Sequence, residues 1–266
     1  MIRDITLGQY YGSESPIHRL DPRVKIIATL LFIVELFIVD NFYGFIIAGA
    51  VLGIVIAISK VPVSFILRGL KPIIIILLFT FLLNMFMVKG EVLVSWWIFT
   101  ITKEGVRTAV FMAIRLMLLI MGSSMLTLTT RPLALTDGIE RLLSPFKKIG
   151  LPAHEIAMMM TIALRFIPTL LEETDKIIKA QEARGADFES GGLIAKAKSL
   201  VPILVPLFVS AFRIAQDLAM AMEARCYRGG DGRTRMHEMK LKKRDVMAFI
   251  LEAVFLAVII IESRIL

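Results

Sequence analysis

Two short segments of the chain end in the same three residues, and each could present an arginine to another protein. Glu-Ala-Arg occurs at residues 182–184 and again at 223–225, so the two arginines lie 41 residues apart. A guanidinium at the C-terminal end of a helix is favoured by the helix dipole, and it carries five donors for carboxylates or carbonyl groups. The small neighbours Ala183, Gly185 and Ala224 would let such an end enter a narrow groove. An ordinary helix end explains the same residues, because basic residues and alanine are common in last turns.

Two long helices are needed to position these arginines. Helical patterning predicts one helix over residues 152–184 and another over 193–225, each 33 residues long and therefore about 50 Å in length. Charged residues interrupt both helices, so the sequence predicts rods at or below the membrane surface and not membrane spans. Each rod has an apolar stripe at helical spacing and internal prolines, which bend a helix. These are Pro168 in the first rod, and Pro202 and Pro206 in the second.

The residue types in the chain give little support for a catalytic function. The chain has no G-x-x-x-x-G-K-[ST] motif, so it cannot cradle ATP phosphates in the usual P-loop manner. The single cysteine, Cys226, excludes an intramolecular disulfide, and three scattered histidines argue against a metal site. An integral membrane enzyme using carboxylates of residues 172–189 stays open as an alternative, although these acids alternate with Lys176 and Lys179 as on a solvated helix face. A stand-alone secondary transporter is the other alternative, but the repeated blocks of spans that it requires are missing.

The composition indicates a membrane protein with a large polar part. Hydrophobic residues make up 57% of the 266 residues and mean hydropathy is +0.76, whereas soluble domains are roughly 45–50% apolar. Apolar runs of near-spanning length predict about five transmembrane helices, at residues 24–39, 42–58, 72–88, 105–128 and 246–261. Residues 63–70 and 93–101 are too short to cross and are expected at the membrane surface, with Trp96 and Trp97 in an interfacial belt.

The distribution of basic residues predicts the orientation. Lys and Arg are concentrated before the first span and between the second and third, so the N-terminus is expected in the cytoplasm, and no cleavable signal pattern precedes the first span. Residues 130–244 then lie in the cytoplasm, and their 19 Lys/Arg against 13 Asp/Glu account for +6 of the net charge of +8. Because these charges are mixed, the basic balance reflects topology and not a nucleic-acid partner.

The predicted fold class is therefore an all-α integral membrane protein, with long amphipathic cytoplasmic helices between the fourth and fifth spans. Its expected parts are a cytoplasmic segment 1–23, a transmembrane block 24–129, a cytoplasmic domain 130–244 and a C-terminal transmembrane helix 245–266.

Glu35, Arg115 and Asn84 are polar residues within the predicted spans. Glu35 and Arg115 both lie toward the outer halves of their helices. Three explanations for these two charged residues stay open: a structural ion pair between them, side chains that snorkel to the membrane surface, or a part in an ion pathway. Asn84 is expected to hydrogen-bond between helices.

Three features together resemble the transmembrane T component of energy-coupling factor transporters. They are the segment Ser-Pro-Ile-His-Arg-Leu-Asp-Pro-Arg-Val-Lys at residues 15–25, the two arginine-ended helices and the multi-span block, so the resemblance covers nearly the whole chain. In that family an x-Arg-x tripeptide ends each of two coupling helices and inserts into a groove of an ATPase subunit. The resemblance thus implies that the ATPase-contact residues are Ala183, Arg184, Gly185, Ala224, Arg225 and Cys226, where Cys226 departs from the commoner glycine.

The resemblance also implies partners. They are two ABC-type ATPase subunits, which would bind ATP and Mg²⁺, and a small membrane S component that captures a vitamin or a transition-metal ion. This chain is expected to be a non-catalytic subunit in the cell membrane of a prokaryote that binds no cofactor or metal and transmits ATPase movement to the S component. The expected S-component contacts are Met159, Ala163, Ile167, Leu171, Ala211, Ile214, Leu218 and Met222. The family's N-terminal motif corresponds to His18, Leu20, Asp21, Pro22, Arg23 and Lys25, for which a juxtamembrane anchor is the expected role.

Overall fold

The computed structural model describes residues 10–96, 99–186, 188, 192, 194, 198–229 and 239–265. Within these ranges the chain is almost entirely helical, and the predicted all-α integral membrane class is confirmed. The chain divides into two compact units. The first, here called the membrane block, comprises residues 8–138 and 238–266, and the second, here called the helical pair, comprises residues 1–7 and 139–237.

The membrane block is built mainly from long apolar helices. Its helices are α1 (Pro22–Ile38), α2 (Phe42–Ser59), α3 (Val63–Leu70), α4 (Ile74–Met87), α5 (Lys103–Thr129) and α9 (Lys243–Ile265). After α5 the chain forms α6 (Pro132–Leu143) and a 3-10 turn (Ser144–Ile149). The helical pair then consists of α7 (Ala153–Ala183) and α8 (Val201–Ala224).

The two segments expected at the membrane surface, residues 63–70 and 93–101, form a helix and paired strands, and the surface position of the second stays a prediction. A 3-10 turn (Lys71–Ile73) joins α3 to α4, so Val63–Met87 is one helical stretch of 25 residues and the span does not begin at Pro72. Two short strands, β1 (Val92–Trp96) and β2 (Phe99–Thr102), pair antiparallel, because both are rich in β-branched and aromatic residues. Trp97 lies outside the described residues.

Among the described residues, six helical stretches are long and apolar enough to cross a membrane: α2, α3–α4, α5, α7, α8 and α9. Three of them contain the spans predicted at 42–58, 105–128 and 246–261, the stretch Val63–Met87 covers all but the last residue of the span predicted at 72–88, and α1 covers most of the span predicted at 24–39. Windows of 18 residues in α7 and α8 have mean hydropathies of 1.3 and 1.5. By length and composition α7 and α8 could therefore cross a membrane, so the prediction that their charges prevent this is wrong, and their cytoplasmic position stays a prediction.

The second arginine-ended helix is shorter than predicted. It begins at Val201, while the predicted start at residue 193 lies outside the described residues. Pro202 occupies its first turn, where proline is tolerated because the amide there has no intrahelical acceptor. Pro202 therefore starts α8 and does not lie inside it, whereas Pro206 and Pro168 are internal as expected.

Three hydrogen bonds join segments of the membrane block that are far apart in sequence: Ser13 to Ser59, Lys25 to Thr129, and Asp21 to Asp245, at 3.0, 2.8 and 2.8 Å. The start of α1, the ends of α2 and α5 and the start of α9 therefore lie at the same end of the block. The end of α5 and the start of α9, between which the chain passes through the helical pair, are thus at this same end of the block.

The core of the membrane block lies where α1, α2 and α5 meet. Leu36, Ala48 and Leu128 are almost completely buried there. Gly122 permits close contact between α1 and α5, because a Cβ atom at this position would lie 2.5 Å from a ring carbon of Phe32.

Candidate functional site

Both arginines of the repeated motif lie where their helices end, and the two ends are built alike. Arg184 is the C-cap of α7 and Arg225 is the C-cap of α8. The next residue in each case has a positive φ, +89° at Gly185 and +56° at Cys226.

The same backbone hydrogen bonds close both helix ends. They run from Gly185 to Glu182 and from Ala186 to Gln181 after α7, and from Cys226 to Glu223 and from Tyr227 to Met222 after α8, all between 2.8 and 3.0 Å. This is the Schellman pattern, which satisfies carbonyl groups that the last turn leaves without partners. Cys226 therefore replaces the commoner glycine without altering how the helix ends, at a conformational cost of about 1 kcal/mol.

The two arginine-containing ends are open to solvent. All six predicted contact residues, from Ala183 to Gly185 and from Ala224 to Cys226, are exposed. Within the described ranges, no carboxylate lies within 4 Å of either guanidinium. As far as the described residues go, each end thus offers its donors and an uncompensated positive charge to a partner.

Helices α7 and α8 pair antiparallel, so Arg184 and Arg225 lie at opposite ends of the helical pair. Gln181, near the end of α7, donates to the carbonyl of Pro202 at the start of α8 at 3.4 Å. His154, at the start of α7, hydrogen-bonds to Tyr227 just beyond α8 at 3.1 Å. Because α8 has 24 residues, the rise of an α-helix places Arg184 and Arg225 about 35 Å apart.

A cluster that the sequence analysis missed holds the second end. His154 Nδ1 lies 3.1 Å from Glu140 Oε1, and the hydroxyl of Tyr227 donates to Met158 Sδ at 3.0 Å. Since Tyr227 follows Arg225 by two residues, this cluster fixes the Arg225 end to the first turn of α7. The sequence carried no signal for it, because His154 and Tyr227 are 73 residues apart.

An apolar groove lies between α7 and α8, with a cavity volume of about 310 Å³. The four α8 residues predicted to contact an S component line it: Ala211, Ile214, Leu218 and Met222. The α7 side is formed instead by Ile162, Phe166 and Leu170. Four α7 residues were predicted for this face but do not line the groove: Met159, Ala163, Ile167 and Leu171. The last three each follow a lining residue by one position, which corresponds to a rotation of about 100° around the helix. The structure therefore divides the predicted eight-residue face into two surfaces.

The N-terminal motif forms the joint between the starts of α1 and α9 and the end of α5. Asp21 caps α1 by accepting from the amide of Arg23 at 2.9 Å, and it pairs with the Arg23 guanidinium at 2.8 Å. The amide of Asp21 donates to the buried carboxylate of Asp245, which also accepts from the amide of Lys242. Pro22 occupies the first turn of α1, and Leu20 precedes the cap. These contacts are internal, so a role in anchoring to headgroups stays a prediction.

The other two polar residues of the motif are also satisfied internally. Lys25 is 7% exposed and donates to the carbonyls of His18 and Thr129. His18 Nε2 lies 2.9 Å from the carbonyl of Tyr11, and its Nδ1 lies 2.7 Å from the hydroxyl of Ser15. Burial lowers the pKa of His18 from its usual 6.5, and the neutral ring can donate to Tyr11 while accepting from Ser15.

The polar residues within the spans do not form the expected contacts. Arg115 donates to the carbonyl of Val39 at 2.6 Å and lies 3.8 Å from Asp40, so the predicted pair with Glu35 is wrong. Glu35 is 1% exposed, and neither carboxylate oxygen has a hydrogen-bond partner among the described residues. Asn84 donates to the carbonyl of Thr80 in its own helix at 2.8 Å, and not to another helix.

These features define a multi-pass α-helical membrane protein that carries a pair of long helices with matched arginine ends. A family model described as "Cobalt transport protein" (CbiQ) matches residues 13–237. The chain is similar to the "Energy-coupling factor transporter transmembrane protein EcfT" of three bacteria. Identity is 60% over 267 residues with the Clostridium kluyveri protein, covering 100% of this chain and 98% of that protein. It is 54% with the Ruminiclostridium cellulolyticum protein, covering 98% of each, and 46% with the Bacillus subtilis protein, covering 94% and 95%.

The chain belongs to the EcfT family, the transmembrane components of energy-coupling factor transporters. It is thus a membrane subunit of a transporter, as the resemblance implied.

Proposed function

We propose that this subunit couples two ABC-type ATPase subunits to a small substrate-capturing S component in the cell membrane of a prokaryote. The observation that carries the proposal is the pair of exposed, identically closed helix ends at Arg184 and Arg225. Two equivalent ATPase subunits need two equivalent contacts, and the helical pair supplies them about 35 Å apart. This chain binds neither ATP nor Mg²⁺ in the proposal, and both belong to the ATPase subunits.

The chemistry of each contact follows from the residues at the ends. A guanidinium that enters a groove forms charge-assisted hydrogen bonds with carboxylates or carbonyls there. Gly185 and Ala183 flank Arg184 without side chains that would block entry, and Ala224 and Cys226 do the same for Arg225. The Schellman closure holds each backbone in place, so little conformational entropy is lost on docking.

The antiparallel arrangement makes a strong demand on orientation. If α7 and α8 both crossed the membrane, Arg184 and Arg225 would lie on opposite sides of it. Both arginines can reach cytoplasmic ATPases only if the pair lies along the membrane with both ends in the cytoplasm. The proposal therefore places the helical pair at the cytoplasmic surface, on the side where the N-terminus is also predicted.

Movement would then pass through the helical pair to the S component. When the ATPase dimer closes on ATP, it draws the two arginine ends toward each other and changes the angle between α7 and α8. The apolar groove lined by Ile214 and Leu218 changes shape with that angle, and the S component resting there reorients and releases its substrate. A vitamin or a transition-metal ion is the proposed class of substrate, and the description of the matching family model fits the metal.

Copurification tests the ATPase contacts. Arg184→Ala and Arg225→Ala should each reduce recovery of ATPase subunits with the tagged chain about tenfold or more, because each loses charge-assisted hydrogen bonds. The double variant should lose the ATPases while still inserting in the membrane. Arg228→Ala is the matched control, since Arg228 is exposed only three residues beyond Arg225. Full recovery of ATPases by the double variant would contradict the proposal.

A further inference from the structure

The membrane block contains a polar cavity that no part of the proposed coupling function uses. It has a volume of about 290 Å³ and lies between the N-terminal segment, the first turn of α1 and the start of α6. At roughly 30 Å³ per water molecule, this is space for about ten waters, or for a phosphate group with part of a glycerol. The cavity is at the end of the block that holds the starts of α1 and α9, which is the predicted cytoplasmic side.

Its charges are mainly positive. Arg19, Lys25 and Arg131 line the cavity, and the lining carboxylate is Glu14, which pairs with Arg19 at 2.7 Å where both side chains are exposed. Lys25 is buried and donates to two backbone carbonyls, and no carboxylate of the described residues lies within 4 Å of its ammonium group. A buried cation hydrogen-bonded to carbonyls favours an anion nearby, and the carboxylates of Asp21 and Asp245 act on its charge only from beyond 4 Å.

Thr130, which also lines the cavity, carries a buried and unused donor. The hydroxyl of Thr130, a residue that is 5% exposed, has no hydrogen-bond partner within the described part of the chain. Such a buried hydroxyl costs about 1–3 kcal/mol unless something binds to it. The neighbouring Thr129 differs, because its hydroxyl donates to the carbonyl of Met125 at 2.7 Å.

The start of α6 adds a positive helix dipole at the same place. Thr130, Arg131 and Ala134 of this region line the cavity, and the first turn of the 12-residue helix α6 contains no acidic residue. In contrast, Asp21 caps α1 and Asp245 accepts from the amide before α9. An N-terminus without an acidic cap is a favourable position for a phosphate group.

Arg131 is positioned to complete the set of donors. Its guanidinium lies over the ring of Tyr10, 5.4 Å from the ring centroid. Stacking of this kind occupies the face of the guanidinium and leaves its edge donors available to an oxyanion.

We propose that this cavity binds a phosphate group, held by Arg131, Lys25, the hydroxyl of Thr130 and the N-terminus of α6. The group comes either from the headgroup of an anionic phospholipid or from free phosphate. Bound there, it bridges α1 to the segment between α5 and α6 and stabilises that joint. This role is separate from the arginine ends, so it does not depend on the proposed coupling function.

The test measures thermal unfolding of the purified full-length chain with three probes: inorganic phosphate, phosphatidylglycerol in mixed micelles, and phosphatidylcholine at the same lipid content. Sodium chloride at matched ionic strength serves as the reference. Stabilisation by phosphatidylglycerol alone identifies a lipid site, and stabilisation by inorganic phosphate as well identifies a site that also accepts the free anion; both support the proposal. No stabilisation by phosphate or phosphatidylglycerol, or equal stabilisation by phosphatidylcholine and phosphatidylglycerol, would overturn it.

Variants locate the effect. Arg131→Gln should weaken binding of the stabilising probe about tenfold, because one charge-assisted hydrogen bond is lost. Arg131→Lys should restore part of the affinity. Thr130→Val, which keeps the shape of the side chain, should weaken binding of the probe by a smaller factor. Arg107→Gln is the matched control, since the Arg107 guanidinium also lies 5.4 Å from the centroid of an aromatic ring, that of Phe111, but does not line the cavity. Equal responses of wild type, Arg131→Gln and Thr130→Val would contradict the proposed site.

Discussion

The two helix ends close with the same hydrogen bonds but with different residues, and this difference predicts opposite responses to substitution. Gly185 has φ +89°, beyond the centre of the left-handed region near +57°, whereas Cys226 at +56° lies at that centre. No atom lies within 4 Å of a Cβ placed on Gly185, so any cost of Gly185→Ala is conformational and not steric.

The magnitudes follow from the cost of a Cβ atom in left-handed backbone, which is about 1–2 kcal/mol. Gly185→Ala should destabilise the closed end of α7 by the upper part of that range, because its φ is the less favourable for an L-residue. Cys226→Gly should stabilise the closed end of α8 by about 1 kcal/mol, since it removes the same penalty. One to two kcal/mol corresponds to a factor of about 5–30 in the population of the open form.

Hydrogen exchange on the purified full-length chain measures these populations. The amides of Ala186 and Tyr227 each donate to the closing carbonyl at 3.0 Å, so their exchange reports on the two ends. We expect the Ala186 amide to exchange about 10–30 times faster in Gly185→Ala, and the Tyr227 amide about five times slower in Cys226→Gly. Cys226→Ser retains the Cβ atom and should leave exchange unchanged. Slower exchange in Gly185→Ala, or a Cys226→Ser effect as large as that of Cys226→Gly, would refute the reasoning.

Three further predictions concern the membrane block, each measured by thermal unfolding of the full chain in detergent. Gly122→Ala should destabilise the membrane block by about 1–3 kcal/mol, because the new methyl group overlaps the ring of Phe32. Gly53→Ala is the control and should leave stability unchanged, because no atom lies within 4 Å of the new methyl group. Equal effects of the two substitutions would contradict the close contact. Asp245→Ala should cost about 3 kcal/mol because it leaves two amides without acceptors, and a change under about 0.5 kcal/mol would contradict this. Because the folded state lowers the pKa of His18, the unfolded chain takes up its proton first, so stability should fall as pH drops below about 6.5, and His18→Gln should lessen this dependence.

Local signals in the sequence were sufficient to predict the helix ends. Glu-Ala-Arg followed by glycine or a small residue marks a C-terminus, and α7 and α8 end within one residue of the predicted positions. Apolar runs likewise located most of the spans, since hydropathy depends on composition alone. The start of α8 near Val201 could also have been predicted, because proline, here Pro202, is typical of a first helical turn.

Features that depend on contacts between distant segments were not predictable. The face of α7 that lines the groove is shifted by one residue from the predicted stripe, because its packing angle against α8 decides which face is covered. Arg115 binds the carbonyl of Val39 instead of Glu35, and this carbonyl lies free only because α1 ends there. The cluster of His154 and Tyr227 required the antiparallel pairing of α7 and α8 to be known first.

Cysteine labelling can report on which side of the membrane each arginine end lies. Cys226 is exposed and is the single cysteine of the chain, so it reports the side of the membrane on which the Arg225 end lies. Lys179→Cys in a Cys226→Ser background reports the same for the other end. Both positions should react with an impermeant maleimide only from the cytoplasmic side, and reaction from opposite sides would show that α7 and α8 cross the membrane.

Site-specific photocrosslinking in the assembled transporter tests the central claim most directly. A photoreactive residue at Ala183 places the probe beside Arg184, and one at Ala224 places it beside Arg225. If the two arginine ends dock on the ATPases, each probe will crosslink to an ATPase subunit, and a chain that carries both probes will capture two. Crosslinking of either probe exclusively to lipid or to the S component would contradict the account.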